Sequence, residues 1–487
     1  MNRTTRREFL RNVAVVGGAA LVVPAPLAGC RTTASKADSD AAWARVPDIL
    51  ARIQAPSFPD RDFVITEFGA ERGASRDATE AIARAVRACA DAGGGRVIIP
   101  AGEFLTGPIH LRSEVNLHVS EGATLRFTRD TARYLPAVFT RWEGMELMNY
   151  SPLIYAFEAR NVAVTGDGTL DGNADTNHWW PWKGQERHGW TRGEPEQSAA
   201  RRRLMQMVAD GVPVEERVFG EGDYLRPSFI QPYRCENVLI EGVRIINSPM
   251  WEIHPVLCTN VTVRGVRVET HGPNNDGCNP ESCRDVLIED CYFDTGDDCI
   301  ALKSGRNADG RRIAMPVENV IIQNCTMRDG HGGVVIGSEM SGGARNIFVR
   351  NCNMSSPNLE RALRIKTNSV RGGFVENVYM RDVEVGQVSD AVIRINFLYE
   401  EGDAGSHDPE VRGIDVRDVT CGESRYALYL IGYPRSPIRD VRLVDCRFDD
   451  VADGSVIEHV EDLTMERVTI NGRRIATRHA YSRSVFT

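Results

Sequence analysis

Val286-Leu287-Ile288-Glu289-Asp290-Cys291-Tyr292-Phe293 and Val320-Ile321-Ile322-Gln323-Asn324-Cys325-Thr326-Met327 are one pattern written twice. Apolar residues stand at the start and again two, five and seven positions on. Two short strands joined by a corner read this way, because strand side chains alternate between faces. A helix would need apolar residues three, four and seven apart, which does not fit. The pattern begins nine times, at Val238, Val261, Val286, Val320, Ile347, Val378, Ile414, Val441 and Leu463. The steps are 23, 25, 34, 27, 31, 36, 27 and 22 residues. Repeats of this length with two or three strands each predict an all-β parallel β-helix, in which stacked coils make one continuous core. Length variation then falls in loops, such as Gly305–Pro316 and Tyr399–Glu410.

The fifth position holds Cys291, Cys325, Cys352 and Cys446 in some units and Val243, Val266, Val383, Val419 and Val468 in others. Cysteine that interchanges with valine predicts an interior ladder of small hydrophobes. No CxxC or His/Cys spacing points to a metal site. Disulfides between adjacent coils are compatible with the pattern but not required by it.

Upstream the rhythm is looser. Asp77-Ala78-Thr79-Glu80 leads an Ala-rich amphipathic stretch to Ala92, which predicts a capped helix over the open end of the coil stack. Gly93-Gly94-Gly95 precedes a strand, Val97-Ile98-Ile99, not a helix, so it is no phosphate loop. Asn161–Gly172 reads as another coil. Residues 173–226, with Trp179, Trp180, Trp182, Trp190 and Arg201-Arg202-Arg203, break the rhythm and predict one insertion over the cleft.

The N-terminus has a different character. Thr5-Arg6-Arg7-Glu8-Phe9-Leu10 precedes an apolar run from Val13 to Val23, as in a twin-arginine export signal. Leu27-Ala28-Gly29-Cys30 reads as a lipoprotein cleavage box with Cys30 lipidated; ordinary cleavage that leaves a free Cys30 is the alternative. The organisation is then a signal over 1–29, a tether over 30–60 and a single catalytic domain over 61–487. Contact with a membrane would come only through the lipid anchor. The net charge is -9, and loss of the four Arg and one Glu of residues 1–29 brings it near -12. An acidic chain is a poor bulk partner for nucleic acid or any polyanion, so a polyanionic substrate needs a local cationic patch.

Four strings fall on successive coils: Asn274-Asn275-Asp276, Gly296-Asp297-Asp298-Cys299, Gly330-His331-Gly332 and Arg364-Ile365-Lys366. Coils stack about 4.8 Å apart, so these residues share one patch. Three carboxylates so close cannot all ionise freely, and at least one stays protonated as an acid. A carboxylate pair about 6.5–9.5 Å apart leaves room for an attacking water. His331 can share a proton with the acid, and Arg364 offers a planar fork to a uronate carboxylate. The chain has only four Lys among its 58 cationic residues, so Lys366, beside Arg364, and Lys303, just after the Asp pair, are not interchangeable surface charge. Cys299 reads as packed. Trp251 and His254 read either as an upstream sugar site or as core. Tyr399 offers a flat face for a sugar ring. Together these parts suit hydrolysis of an acidic polysaccharide. A Ca²⁺-dependent β-helical lyase and a non-catalytic adhesin or tailspike are the competing classes.

On these motifs, over about residues 62–475, the chain resembles glycoside hydrolase family 28, the polygalacturonases and their relatives. The resemblance implies a right-handed parallel β-helix and inverting hydrolysis of pectic polygalacturonate without metal or cofactor. It implies Asp297 as general acid, Asp276 and Asp298 as the pair that activates water, and His331 as supporting imidazole. Arg364 and Lys366 would bind the substrate carboxylate, with Asn274, Lys303 and Tyr399 also facing the sugar. Asn275 stands where Thr is common in the family. Val334–Gly343 and Arg361–Asn368 are most similar to the bacterial exo-acting members. Rhamnogalacturonan or xylogalacturonan hydrolysis is the alternative within this fold.

Overall fold

The computed structural model describes residues 36–486, with side chains described for 39–475. The twin-arginine segment and Cys30 lie outside the described residues.

All nine starting residues stack in one parallel ladder, Val238 on Val261 on Val286 and so on to Leu463, with Val162 one coil earlier. The residues seven positions later make a second ladder, from Ile245 through Phe293 and Met327 to Ile470. The skipped phase between them is a left-handed residue: Asp290, Asn324, Asn351, Asp382, Asp418 and Asp445 all have φ between 49° and 56°. Asn and Asp enter that region more readily than other side-chain-bearing residues, which is why they recur at the corner. The turn lets the residues on both sides of it point inward. A second left-handed position precedes each start, and its Asn side chains bond coil to coil, Asn260 to Asn237 at 2.6 Å and Asn346 to Asn319 at 3.0 Å.

A third ladder completes each coil: Ile230, Ile253, Cys278, Ile300, Val334, Leu363, Ile393 and Leu428. Its apolar members face the buried interior, and the residues between them face outward. All eleven cysteines among the described residues are free thiols buried in the fold.

Helices α1 (Lys36–Trp43) and α2 (Val46–Arg52) occupy the segment where a tether was expected. The outward positions Leu287, Ile321 and Phe348 form an apolar stripe on the first ladder, and Trp43, Val46, Ile49 and Ile53 cover it. Burial of that shared apolar surface orders the segment. Helix α3 (Thr79–Asp91) caps the stack as predicted, with Ala81, Ile82, Ala85, Val86 and Cys89 in the main core. Asp77 accepts the Thr79 N–H at 2.9 Å at its start. At the other end, Ser455–Ile470 pairs antiparallel with Arg473–Phe486.

A hairpin, Val138–Trp142 with Met145–Asn149, was not visible in the periodicity. Helix α4 (Ser198–Ala209), within the insertion, packs Ala200, Leu204 and Val208 on this hairpin and on Met250 and Trp251. These two elements stand beside the outward face of the third ladder.

Candidate active site

The outward face of the third ladder and the elements beside it enclose a cavity of about 350 Å³. All nine residues expected to act on substrate line it: Asn274, Asp276, Asp297, Asp298, Lys303, His331, Arg364, Lys366 and Tyr399. Backbone bonds tie the motifs together coil by coil. The Asp297 N–H donates to Asn275 O at 3.0 Å, and the His331 N–H to Asp297 O at 2.9 Å. Gly330 has φ 154°, and a Cβ there would meet Asp297 O at 2.6 Å, so only glycine lets the coils approach. Asn275 is buried and does not line the cavity. Its side chain accepts from Thr270 Oγ1 and Gly272 N and donates to Ser248 O and Met250 O, all within 3.1 Å, which holds the bulged turn carrying Asp276.

Asp297 Oδ1 lies 2.8 Å from His331 Nδ1. Burial works against the Asp297 charge, but the His331 charge and hydrogen bond, with Lys366 and Lys303, hold its carboxyl well below the usual range. The same contact lifts His331 to about 9 against its burial. One proton therefore resides in the pair, on the imidazole. The carboxyl whose pKa is raised is instead Asp276, pushed up by burial and by the charge of Asp297. The expectation that crowding would leave an acid protonated is met at a different residue from the one assigned as acid. Asp276 is 2 % exposed, whereas Asp297 has the imidazole against it. Glu252, fully buried behind Asp276 with neither carboxyl oxygen hydrogen-bonded, is also pushed well up by burial and Asp276.

The cations are not free binders. Lys366 Nζ donates to Asp298 Oδ2 at 2.6 Å, and an Arg364 N–H lies 3.4 Å from Oδ1. Lys303 sits 3.0 Å from Glu339 and 3.5 Å from Asp276, with its ammonium over the Trp251 ring at 4.4 Å. It positions Asp276 more than it offers a site to substrate. Tyr399 lies beside Arg364 and Lys366, its ring centre 5.6 and 5.4 Å from their cationic groups. Asn274 is held by Arg226, which donates to its Oδ1 at 2.8 Å and to the Pro249 and Pro273 carbonyls. Trp251 lines the cavity. His254 does not: fully buried, it bonds Glu281 at 2.8 Å and Gln231 at 2.9 Å, a satisfied interior histidine.

Distance along the chain hid other parts of the wall. Arg306 reaches Glu143 of the hairpin, Glu339 and Glu400 at 3.4, 3.3 and 2.9 Å. Arg201 of α4 holds Glu143 at 2.7 Å. The insertion adds Lys183, Gln185, Arg187 and His188 to the lining. Lys183 carried a signal, since the rarity of lysine that marked Lys303 and Lys366 applies to it equally. His271, Asp294 and Asp329 come within 4.8 Å of one another in metal-ligand fashion. They lie outside the cavity lining, and Asp329 is taken up by Ser356 and Asn358.

A parallel β-helix with carboxylates, an imidazole and cations converging on one walled cavity defines a glycoside hydrolase. The family model of glycosyl hydrolases family 28 matches residues 221–449. A probable polygalacturonase of Vitis vinifera is 30% identical over 367 residues, 72% of this chain and 66% of the relative. An exo-poly-alpha-D-galacturonosidase of Dickeya chrysanthemi is 25% identical over 394 residues, 73% of this chain and 62% of the relative. The chain thus spans a little under two thirds of the length of these curated relatives. The crystal structure of a hyperthermoactive exopolygalacturonase from Thermotoga maritima is 47% identical, with a TM-score of 0.89 over 92% of this chain and 100% of that one. The chain belongs to glycosyl hydrolases family 28.

Proposed function

We propose that this chain hydrolyses α-1,4-galacturonosidic bonds of polygalacturonate from a chain end, with inversion at the anomeric carbon. The observation that carries the reading is the convergence of Asp276, Asp297, Asp298 and His331 with Arg364 and Lys366 in one cavity. The Asp297–His331 pair is the acid: its shared proton passes through Asp297 to the glycosidic oxygen as the bond breaks. Asp298 and Asp276, on the neighbouring coil, flank the attacking water, and the carboxylate bound by Lys366 and Arg364 draws its proton. Tyr399 offers a face to the sugar. Arg364, the less buried cation of the pair, meets the substrate carboxylate. The wall built from the hairpin, α4 and Arg306 supports exo action, since a cavity closed on one side accepts an end more readily than a mid-chain segment.

The relatives named as exo-acting support the same mode. Export through the twin-arginine segment and anchoring through a lipidated Cys30 would place the enzyme in the periplasm or at the cell surface, where pectic fragments arrive. Products from unesterified polygalacturonate test the reaction. Short products from the first minutes, unaffected by chelator and without ultraviolet absorbance, are expected. An early ladder of mid-sized oligomers excludes exo action, and an absorbing unsaturated product excludes hydrolysis.

A further inference from the structure

Every lysine among the described side chains, Lys183, Lys303 and Lys366, lines the cavity, in a chain whose remaining cations are almost all arginine. An ammonium is a compact charge on a flexible stem, suited to meeting a ligand that arrives and leaves. Two of the three are already committed, Lys303 to Glu339 and Lys366 to Asp298. Lys183 is not: among the described residues its Nζ has neither an ion-pair nor a hydrogen-bond partner. Among the described residues, Arg187 on the same insertion makes one side-chain hydrogen bond, Nε to Gln185 Oε1 at 3.3 Å, and no ion pair.

Charges of both signs act on Lys183 without touching it. Burial lowers the Lys183 pKa most, Glu143 and then Asp297 work against it, and Arg226 and Arg201 add to the lowering. His188 beside it is driven down to about 4 by burial and by Arg187, Arg226 and Lys183. A half-buried cation with no direct ion-pair partner is costly, and an arriving anion relieves that cost. Lys183 lies within electrostatic reach of both Glu143, in the wall, and Asp297, the acid. An anion there sits on the walled side of the bond that Asp297 protonates.

We propose that Lys183, supported by Arg187, is a specificity-determining residue that receives the carboxylate of the terminal uronate, the sugar released by each cut. The inference rests on the exo-hydrolase reading above and deepens it. The enzyme would then require an acid at the chain end itself, and a terminal neutral galactose or esterified uronate would be a poor substrate.

The test pairs a change in the enzyme with a change in the substrate. Digalacturonate and its analogue methyl-esterified on the non-reducing sugar are each given to the wild type, Lys183→Met and Lys183→Arg. A charge-assisted contact of this kind is worth roughly 10–100-fold. Lys183→Met should lower kcat/KM on digalacturonate by about that factor, mainly through KM, and change the ester by less than about twofold. The preference for the free acid collapses in Lys183→Met and is partly restored in Lys183→Arg. Equal losses on both substrates, or no loss on either, overturn the inference while the hydrolase reading stands. A wild type inactive on digalacturonate and polygalacturonate alike overturns both. Lys183 is not a core residue, so the melting temperature of Lys183→Met should match the wild type.

Discussion

The floor and the lid of the cavity use their cations differently. On the floor, Lys303 lies against Glu339 and Asp276 on the coils either side of it, and Lys366 and Arg364 reach Asp298 two coils away. In the insertion that covers the floor, Lys183 and Arg187 have no carboxylate in ion-pair contact among the described residues. Charges on the floor set the state of the catalytic acids, whereas charges in the lid are left for the substrate. An inventory of cationic residues alone would treat the two groups as equivalent.

Substitutions can break or sharpen this contrast. The largest loss of activity is expected from Asp297→Asn, which removes the acid and should lower kcat by about 10²–10⁴-fold. A variant that kept its activity would move the acid elsewhere. Lys366→Met comes next. It leaves Asp298 buried without its 2.6 Å partner. Losing one member of a buried pair costs about 3–5 kcal/mol, so the loss of activity should come with a lower melting temperature, unlike Lys183→Met. A Lys366 variant of wild-type stability that changed only KM would make it a plain substrate binder and erase the contrast.

A smaller and pH-dependent effect is expected at His331. Its pKa is lifted from 6.5 to about 9, so the contact with Asp297 contributes stability fully below pH 6.5 and loses it as pH rises through about 9. Thermal unfolding of the wild type against His331→Gln should show a gap that closes between those values. The alkaline limb of kcat/KM should shift to lower pH in the variant; an unmoved limb would separate the imidazole from the acid. The smallest effect on activity is expected from Trp43→Ala in α1, on the first ladder and outside the cavity lining. It should lower stability by about 3 kcal/mol and leave kcat/KM for polygalacturonate within about twofold.

Much of this was legible because a coil is a local object. Val286, Ile288, Cys291 and Phe293 must all point inward within eight residues, so the register of the stack is written in each repeat. Asp276, Asp297 and His331 come together because they recur one coil apart. The helices within 36–53 were not legible because their reason for order lies on Leu287, Ile321 and Phe348, hundreds of residues away. The part of the wall outside the insertion was missed for the same reason: Arg306 meets Glu143 across 163 residues and Glu400 across 94. For His254 a sugar contact and core packing were equally open until its partners Glu281 and Gln231 were in place.

Periodicity alone specified the coil, the stacking and the gathering of the acids, because side-chain direction along a strand follows from position in the chain. Which carboxyl keeps a proton, which lysine is already paired and where the cavity is closed were decided only in three dimensions. Those outcomes depend on burial and on the charges within a few ångströms, and such neighbours come from segments that no local pattern relates.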